Sequence, residues 1–197
     1  DVTDGEALAR AVQEGVHAFG GIDIVVSNAG IFPPSETLEH LQDATFTRSL
    51  AINLDSHRKV LQACLPYLIR GVDPSVILMA SKNVPAPGPG VSAYSVAKAG
   101  LTQLGRIAAL ELAPKGVRVN MLHPDAVYDT AFWTDDMLQQ RASSYGVSVD
   151  EYKRKSLLGV DITSRDVAKV VAALASDTFA KTTGAQIPLD GGNNRVI

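Results

Sequence analysis

The stretch "IDIVVSNAG", Ile22 to Gly30, decides the fold. Its short β-branched run predicts a buried strand, and Asn28-Ala29-Gly30 breaks that run with a turn at the carboxyl end. Working outward, "SVILMAS" (75–81) and "VRVNMLH" (117–123) read the same way, the latter ended by Pro124. "AQIPLDGG" (185–192) reads as a last strand. Pro188 assigns it to a sheet edge, because proline cannot donate to a ladder on both sides. Helical patterns fill the intervals. The first carries a capping-box pattern, Thr3 followed by Glu6, then Leu8, Ala11, Val12 and Phe19 at helical spacing, and it ends at Gly20-Gly21. A long helical region runs from Asp43 to Arg70, stopped by Gly71 and Pro74, and another from Ser92 to Leu112. A further capped helix starts near Thr163, with Asp166 at N3 and Val167, Val170, Val171 and Leu174 on one face. "KNVPAPGPG" (82–90) is loop, and from Val127 to Val160 the pattern is irregular and aromatic.

Apolar strands alternating with helices predict an α/β fold, a mostly parallel sheet covered by helices on both faces. Ligands of such sheets bind beyond the carboxyl ends of the strands. Asn28-Ala29-Gly30, Ser81 and Pro124 fall there. No repeat, low-complexity segment or linker interrupts the chain, so residues 1–197 read as one domain.

Of 197 residues, 46% are hydrophobic and 20% charged, which is an ordinary globular profile. A net charge of −3 gives no electrostatic footprint for nucleic acid or an anionic membrane. No apolar run approaches the roughly 18 residues of a membrane span. Cys64 stands alone in an apolar run and reads as a buried structural thiol. The absence of any possible internal disulfide fits a cytoplasmic location. His17, His40, His57 and His123 have no ligand spacing, so no metal site is expected. Of these, His123 is the one that can face the strand ends.

The chemistry concentrates in "SAYSVAKAG", Ser92 to Gly100. Tyr94 and Lys98 are one helical turn apart and share a face. Only small side chains surround them, which would let something bulky lie close. Ser81 ends the preceding strand, and the Pro/Gly-rich loop is a path for bringing its hydroxyl back. A hydroxyl, a phenol and an ammonium in one cleft suggest acid–base work on an alcohol or carbonyl. A phenolate near pH 7–8 needs a pKa depression of about 2–3 units, roughly 3–4 kcal/mol. An ammonium about 4 Å away supplies roughly 4 kcal/mol at an effective dielectric near 20.

"Ser81 … Tyr94-Ser-Val-Ala-Lys98", with "Ser-Asn28-Ala-Gly30", "Ala-Ile-Asn53-Leu" and the closing "TTGAQIPLDGG", resembles the short-chain dehydrogenase/reductase family over essentially the whole chain. The resemblance implies a Rossmann-like three-layer α/β/α domain that binds NAD, with NADP also open. It implies Tyr94 as acid/base and Ser81 as donor to the substrate oxygen. Lys98 would lower the Tyr94 pKa and hold the nicotinamide ribose, and Asn53 would hold a water in the proton relay. Asn28, Ala29 and Gly30 would support the sheet beside the cofactor, Asp1 and Val2 would flank the adenine, and Pro124 and Val127 complete the implied cofactor contacts. A closer resemblance lies in "GVDPSVILMASKNVPAPGPG", "LHPDAVYDTAFWT" and "TTGAQIPLDGGNNRVI". These are similar to the dehydrogenase part of bifunctional rhamnulose-1-phosphate aldolase/short-chain dehydrogenase proteins. That implies oxidation of lactaldehyde in deoxysugar (rhamnose) breakdown, an aldolase domain preceding this one, and a homo-oligomer.

Two departures stand out. The family's glycine-rich phosphate loop has no counterpart here, so the chain is expected to lack the first strands of the fold. After the third strand the family commonly reads Pro-Gly, with a threonine five residues past the proline. This chain has Pro124-Asp125, with Asp129 at that position and Thr130 one later. The rival reading is therefore a non-catalytic assembly module or an inactive fragment. A zinc-dependent aldolase centre fails for want of clustered ligands.

Overall fold

The computed structural model describes residues 1–192. Four strands, β1 (Ile24–Ser27), β2 (Ser75–Met79), β3 (Arg118–Pro124) and β4 (Gln186–Leu189), form one sheet in the order of the chain. All three pairings are parallel, with Val25 opposite Val76, Ile77 opposite Asn120 and His123 opposite Pro188. Pro188 thus lies in an edge strand, as a residue without an amide donor should. Residues 193–197, which end the quoted closing motif, lie outside the described part.

Seven α-helices accompany the sheet: α1 (Gly5–Phe19), α2 (Asp43–Leu50), α3 (Ser56–Leu68), α4 (Ser92–Leu112), α5 (Asp135–Ser144), α6 (Val149–Lys153) and α7 (Ser164–Ala175). The alternation along β2 shows the layering. Val76 and Leu78 pack with Leu61, Leu68, Leu101 and Leu112 of α3 and α4 on one face. Ile77 packs with Leu122 and Leu174 on the other, against the α7 valines 167, 170 and 171. The fold is therefore a Rossmann-like three-layer α/β/α sandwich with a parallel sheet. Cys64 is buried in the first of these clusters. No helix of the described residues is long and apolar enough to cross a membrane.

Several local expectations need correction. The N-cap of α1 is Asp4, whose carboxylate accepts from the amides of Glu6 and Ala7. Thr3 is instead held by Asp1 Oδ1, which accepts both its amide and its hydroxyl at 2.8 Å. α1 has no fully buried residue: Leu8 and Val12 are half-buried, while Ala11 and Phe19, the latter 87% exposed, face solvent. β1 is not buried on both faces. Val25 and Ser27 point inward, while Ile24 and Val26 are 50% and 44% exposed. The irregular segment after β3 contains α5 and α6, too short and too polar outside to announce themselves by periodicity. The region 43–68 is helical throughout but carries a π-turn, Ala51–Asp55, between α2 and α3.

Two ends are well tied. Thr163 and Asp166 form the expected capping box of α7. At the other end, Arg118 donates to the carbonyls of Leu174, Ala175, Ser176 and Phe179. A cation there satisfies acceptors the helix leaves open and opposes its dipole. Arg118→Met is expected to lower stability by about 2–3 kcal/mol, the range for hydrogen bonds to a charged group. A urea midpoint equal to that of the parent chain would refute this.

Candidate active site

The carboxyl ends of β1, β2 and β3 open into one cavity of about 440 Å³. Its walls include Asn28, Gly30, Asn53, Ser81, Tyr94, Lys98, Pro124 and Val127. Eight of the residues singled out from sequence thus come together. Ala29, Asp1 and Val2 do not line it.

The floor is built from α4 and the π-turn. Lys98 is 3% exposed, and its ammonium donates to the Met79 carbonyl at 2.7 Å. It sits 5.8 Å from the centre of the Tyr94 ring. Burial lowers the Lys98 pKa to about 8. Burial pushes the Tyr94 phenol above its ordinary value, with the neighbouring Ser81 hydroxyl pulling the other way. The expected depression by Lys98 is therefore not present in this state: desolvation dominates at Tyr94, and the Lys98 ammonium is committed to a backbone carbonyl.

Asn53 is fully buried within the π-turn. Its Oδ1 accepts from the Ile31 amide at 2.9 Å, and its Nδ2 donates to Ser49 Oγ at 3.0 Å. Ser49 in turn donates to the Ala93 carbonyl at the start of α4 at 2.8 Å. Asn53 thereby ties the turn after β1 to the helix that carries Tyr94. An extra turn residue is a recurrent device at functional sites, because it re-aims the side chains around it. The small residues of α4 serve this packing. Ala93 and Ala97 are buried, and a Cβ on Gly100 would come within 3.0 Å of Leu54. Ala93, Ala97 and Gly100 thus bring helices together.

Ser81 is held from two sides. Its Oγ accepts from the Asn83 amide at 3.1 Å, and its carbonyl is 2.9 Å from His123 Nδ1. His123 is buried and does not line the cavity, and burial lowers its pKa. It acts on the site through the backbone of Ser81.

The departures after β3 find partners. Asp125 forms an ion pair with Lys82 and accepts the Ala126 amide. Its charge is thus balanced inside the cavity wall. Asp129 turns away and accepts the amide and hydroxyl of Ser164 at the start of α7, at 2.8 and 2.7 Å. Thr130, one residue later, lines the cavity and donates to the Val127 carbonyl at 2.8 Å.

Aromatic rings close the rest. Phe32 lies on Tyr94 with centroids 4.7 Å apart, and Phe132 on Phe32 at 5.2 Å. Trp133, Tyr145 and Tyr152 also line the cavity, whereas Tyr128 packs behind Trp133 at 5.0 Å. The aromatic segment therefore supplies both packing and cavity wall. Sequence reasoning missed Phe32, Lys82, Arg141 and Lys155. Lys82 was signalled by its place next to Ser81; Arg141 had no signal until α5 positioned it.

The residues present fit a nicotinamide cofactor. A Cβ on Gly30 would stand 3.1 Å from Asn53 Oδ1 and 3.6 Å from Lys98 Nζ, so only glycine lets the turn pass this close to both. That leaves Lys98 and Tyr94 bordering a cavity whose polar groups suit a ribose and an amide. Among the described residues, no three His, Cys, Asp or Glu side chains cluster as metal ligands would.

Residues 1–194 match the family described as Enoyl-(Acyl carrier protein) reductase. The chain is similar to the uncharacterized oxidoreductase YuxG of Bacillus subtilis, at 35% identity over 98% of this chain and 29% of that protein. It is also similar to human dehydrogenase/reductase SDR family member 4, at 30% identity over 95% of this chain and 65% of that one. The chain thus spans less than two thirds of the length of either relative. Among solved structures, carveol dehydrogenase from Mycobacterium avium in complex with NAD superposes with a TM-score of 0.89, at 30% identity over 98% of this chain and 72% of that one.

Proposed function

The chain belongs to the short-chain dehydrogenase/reductase family, and on that premise we propose that it moves a hydride between a nicotinamide cofactor and a small alcohol or aldehyde. The observation that carries the reading is the shared cavity of Ser81, Tyr94 and Lys98 at the strand ends. When bound, the nicotinamide supplies the hydride acceptor for oxidation and the donor for reduction. Ser81 hydrogen-bonds the substrate oxygen, and Tyr94 exchanges its phenolic proton with that oxygen. Lys98 holds the ribose hydroxyls. Asn53, with both ends of its amide engaged by protein, keeps the Ile31 turn and α4 in register.

Burial keeps the phenol protonated, so Tyr94 is set to act as an acid in carbonyl reduction at neutral pH. Alcohol oxidation needs the phenolate and gains as pH rises.

The finer reading is lactaldehyde as substrate, NAD as cofactor and an aldolase half in the same protein. The resemblance of the 71–90 and 122–134 segments to the bifunctional proteins supports it, and the long part of YuxG outside the match is compatible with a second domain. An aldehyde would react as its hydrate, which presents a hydroxyl to Tyr94 as an alcohol does.

The test is to mix the chain with NAD and a panel containing lactaldehyde and short alcohols, and to follow reduced nicotinamide. Time-dependent formation that requires both components is expected when a counterpart of the family's glycine-rich loop is supplied; residues 1–197, which hold none, are expected to bind NAD poorly by themselves. Calorimetric binding of NAD with no turnover across the panel would favour the assembly-module reading. Absence of both with that counterpart supplied would sink the cofactor assignment for this chain.

A further inference from the structure

The cavity differs in charge from the protein around it. The chain has a net charge of −3, yet among the described residues the cavity is lined by Lys82, Lys98, Arg141 and Lys155 and by one carboxylate, Asp125. Lys82 and Asp125 balance each other, and Lys98 is buried on the Met79 carbonyl. Arg141 and Lys155 both come from the segment after β3. Arg141, on α5, makes a single long hydrogen bond, to Ser35 Oγ at 3.4 Å. Among the described residues, no carboxylate lies within ion-pair reach of it. Lys155 follows α6, with its ammonium 4.3 Å from the centre of the Tyr152 ring and 5.4 Å from that of Tyr145. Those rings hold the charge at the cavity wall by their negative faces.

We propose that this end of the cavity binds an anionic group of the substrate, a carboxylate or a phosphate ester, with Arg141 as the principal contact and Lys155 reinforcing it. The proposal deepens the oxidoreductase reading and rests on it: the substrate is then a small hydroxy acid or hydroxy phosphate, held in preference to a neutral aldehyde such as lactaldehyde. A guanidinium presents parallel donors that match both oxyanions, and a lysine adds charge without demanding one geometry. Aromatic walls of low polarity concentrate the field of the Arg141 guanidinium into the cleft. The same placement explains why Arg141 has no carboxylate beside it among the described residues: the ligand would supply it.

Trp133 is the only tryptophan of the chain and lines the cavity, so its fluorescence reports occupancy without turnover. Two matched pairs serve as probes: lactate against propane-1,2-diol, and glycerol 3-phosphate against glycerol. The charged member of at least one pair is expected to bind about tenfold or more tighter, the ratio a charge-assisted hydrogen bond supplies. That advantage should shrink with added salt and fall about tenfold in Arg141→Gln, the same ratio applied to the lost contact. Arg141→Lys should restore part of it. Whichever pair shows the larger ratio tells carboxylate from phosphate.

Equal binding within both pairs overturns the proposal, as does an anion preference that survives Arg141→Gln, or the absence of any fluorescence response. Turnover of neutral alcohols alongside any of those results would leave the oxidoreductase reading standing while removing this one. Anion binding that obeys Arg141 in a chain without turnover would do the reverse.

Discussion

Tyr94→Phe is expected to lose about 10²–10⁴-fold in kcat, the range that a positioned acid/base contributes. The substitution removes one oxygen from a ring that Phe32 already holds in place, so packing should be preserved. KM should change little, because Ser81 still meets the substrate oxygen. The remaining activity should also lose its pH dependence. With Tyr94 as the acid/base, the raised phenol should make oxidation climb through the alkaline range of the parent chain while reduction falls there. A variant with parent-like kcat, or one that keeps the same pH slope, would remove Tyr94 from the chemistry.

The second large effect is on stability in acid. His57 is fully buried beneath the turn after β1, with Nδ1 2.7 Å from Ser27 Oγ. Among the described residues its Nε2 has no partner within good hydrogen-bond geometry, the Ala29 backbone being only a weak neighbour. Burial lowers its pKa from 6.5 to about 4, aided by the Lys98 charge and opposed by the Ala29 backbone. The unfolded chain takes a proton below pH 6.5 that the folded chain refuses until about pH 4. Stability is therefore whole above pH 6.5 and drains away as the pH falls to about 4. The shift corresponds to about 3 kcal/mol. His123, lowered by its own burial, acts in the same direction. Urea unfolding of the parent chain and of His57→Leu at a series of pH values checks this. The variant should lose most of the slope between those limits, whatever offset it carries at neutral pH. Parallel curves would show that His57 is charged in the folded chain.

Much of the frame was legible because its signals are local. Three β-branched or aliphatic runs became β1, β2 and β3, and the helix from Ser92 to Leu112 has the bounds its pattern predicts. The Thr163 capping box is made as written. The site was legible where one turn of one helix spaces its members, as with Tyr94 and Lys98. What escaped depends on three-dimensional neighbours. Nothing near Ala51 predicts a π-turn, because it arises from the packing of Leu54 and Asn53 against α4 and the Ile31 turn. The state of Tyr94 escaped for a related reason. Spacing put an ammonium nearby, but the depth of burial and the competing Met79 carbonyl decide what that ammonium does. The exposure of Ile24 and Val26 likewise depends on which face of β1 the described helices cover, which an apolar run cannot reveal.

The strand order, which repeats the order of the chain, bears on synthesis. A polypeptide leaves the ribosome amino end first, so its early elements exist before the late ones. Here each new strand can dock on an edge already laid down, and none has to be threaded between two others. Asn53, Ser81, Tyr94 and Lys98 all precede β3, whereas Arg141 and Lys155 follow it. A nascent chain that has just released β3 therefore holds Asn53, Ser81, Tyr94 and Lys98 before it holds the part of the cavity wall that carries Arg141 and Lys155.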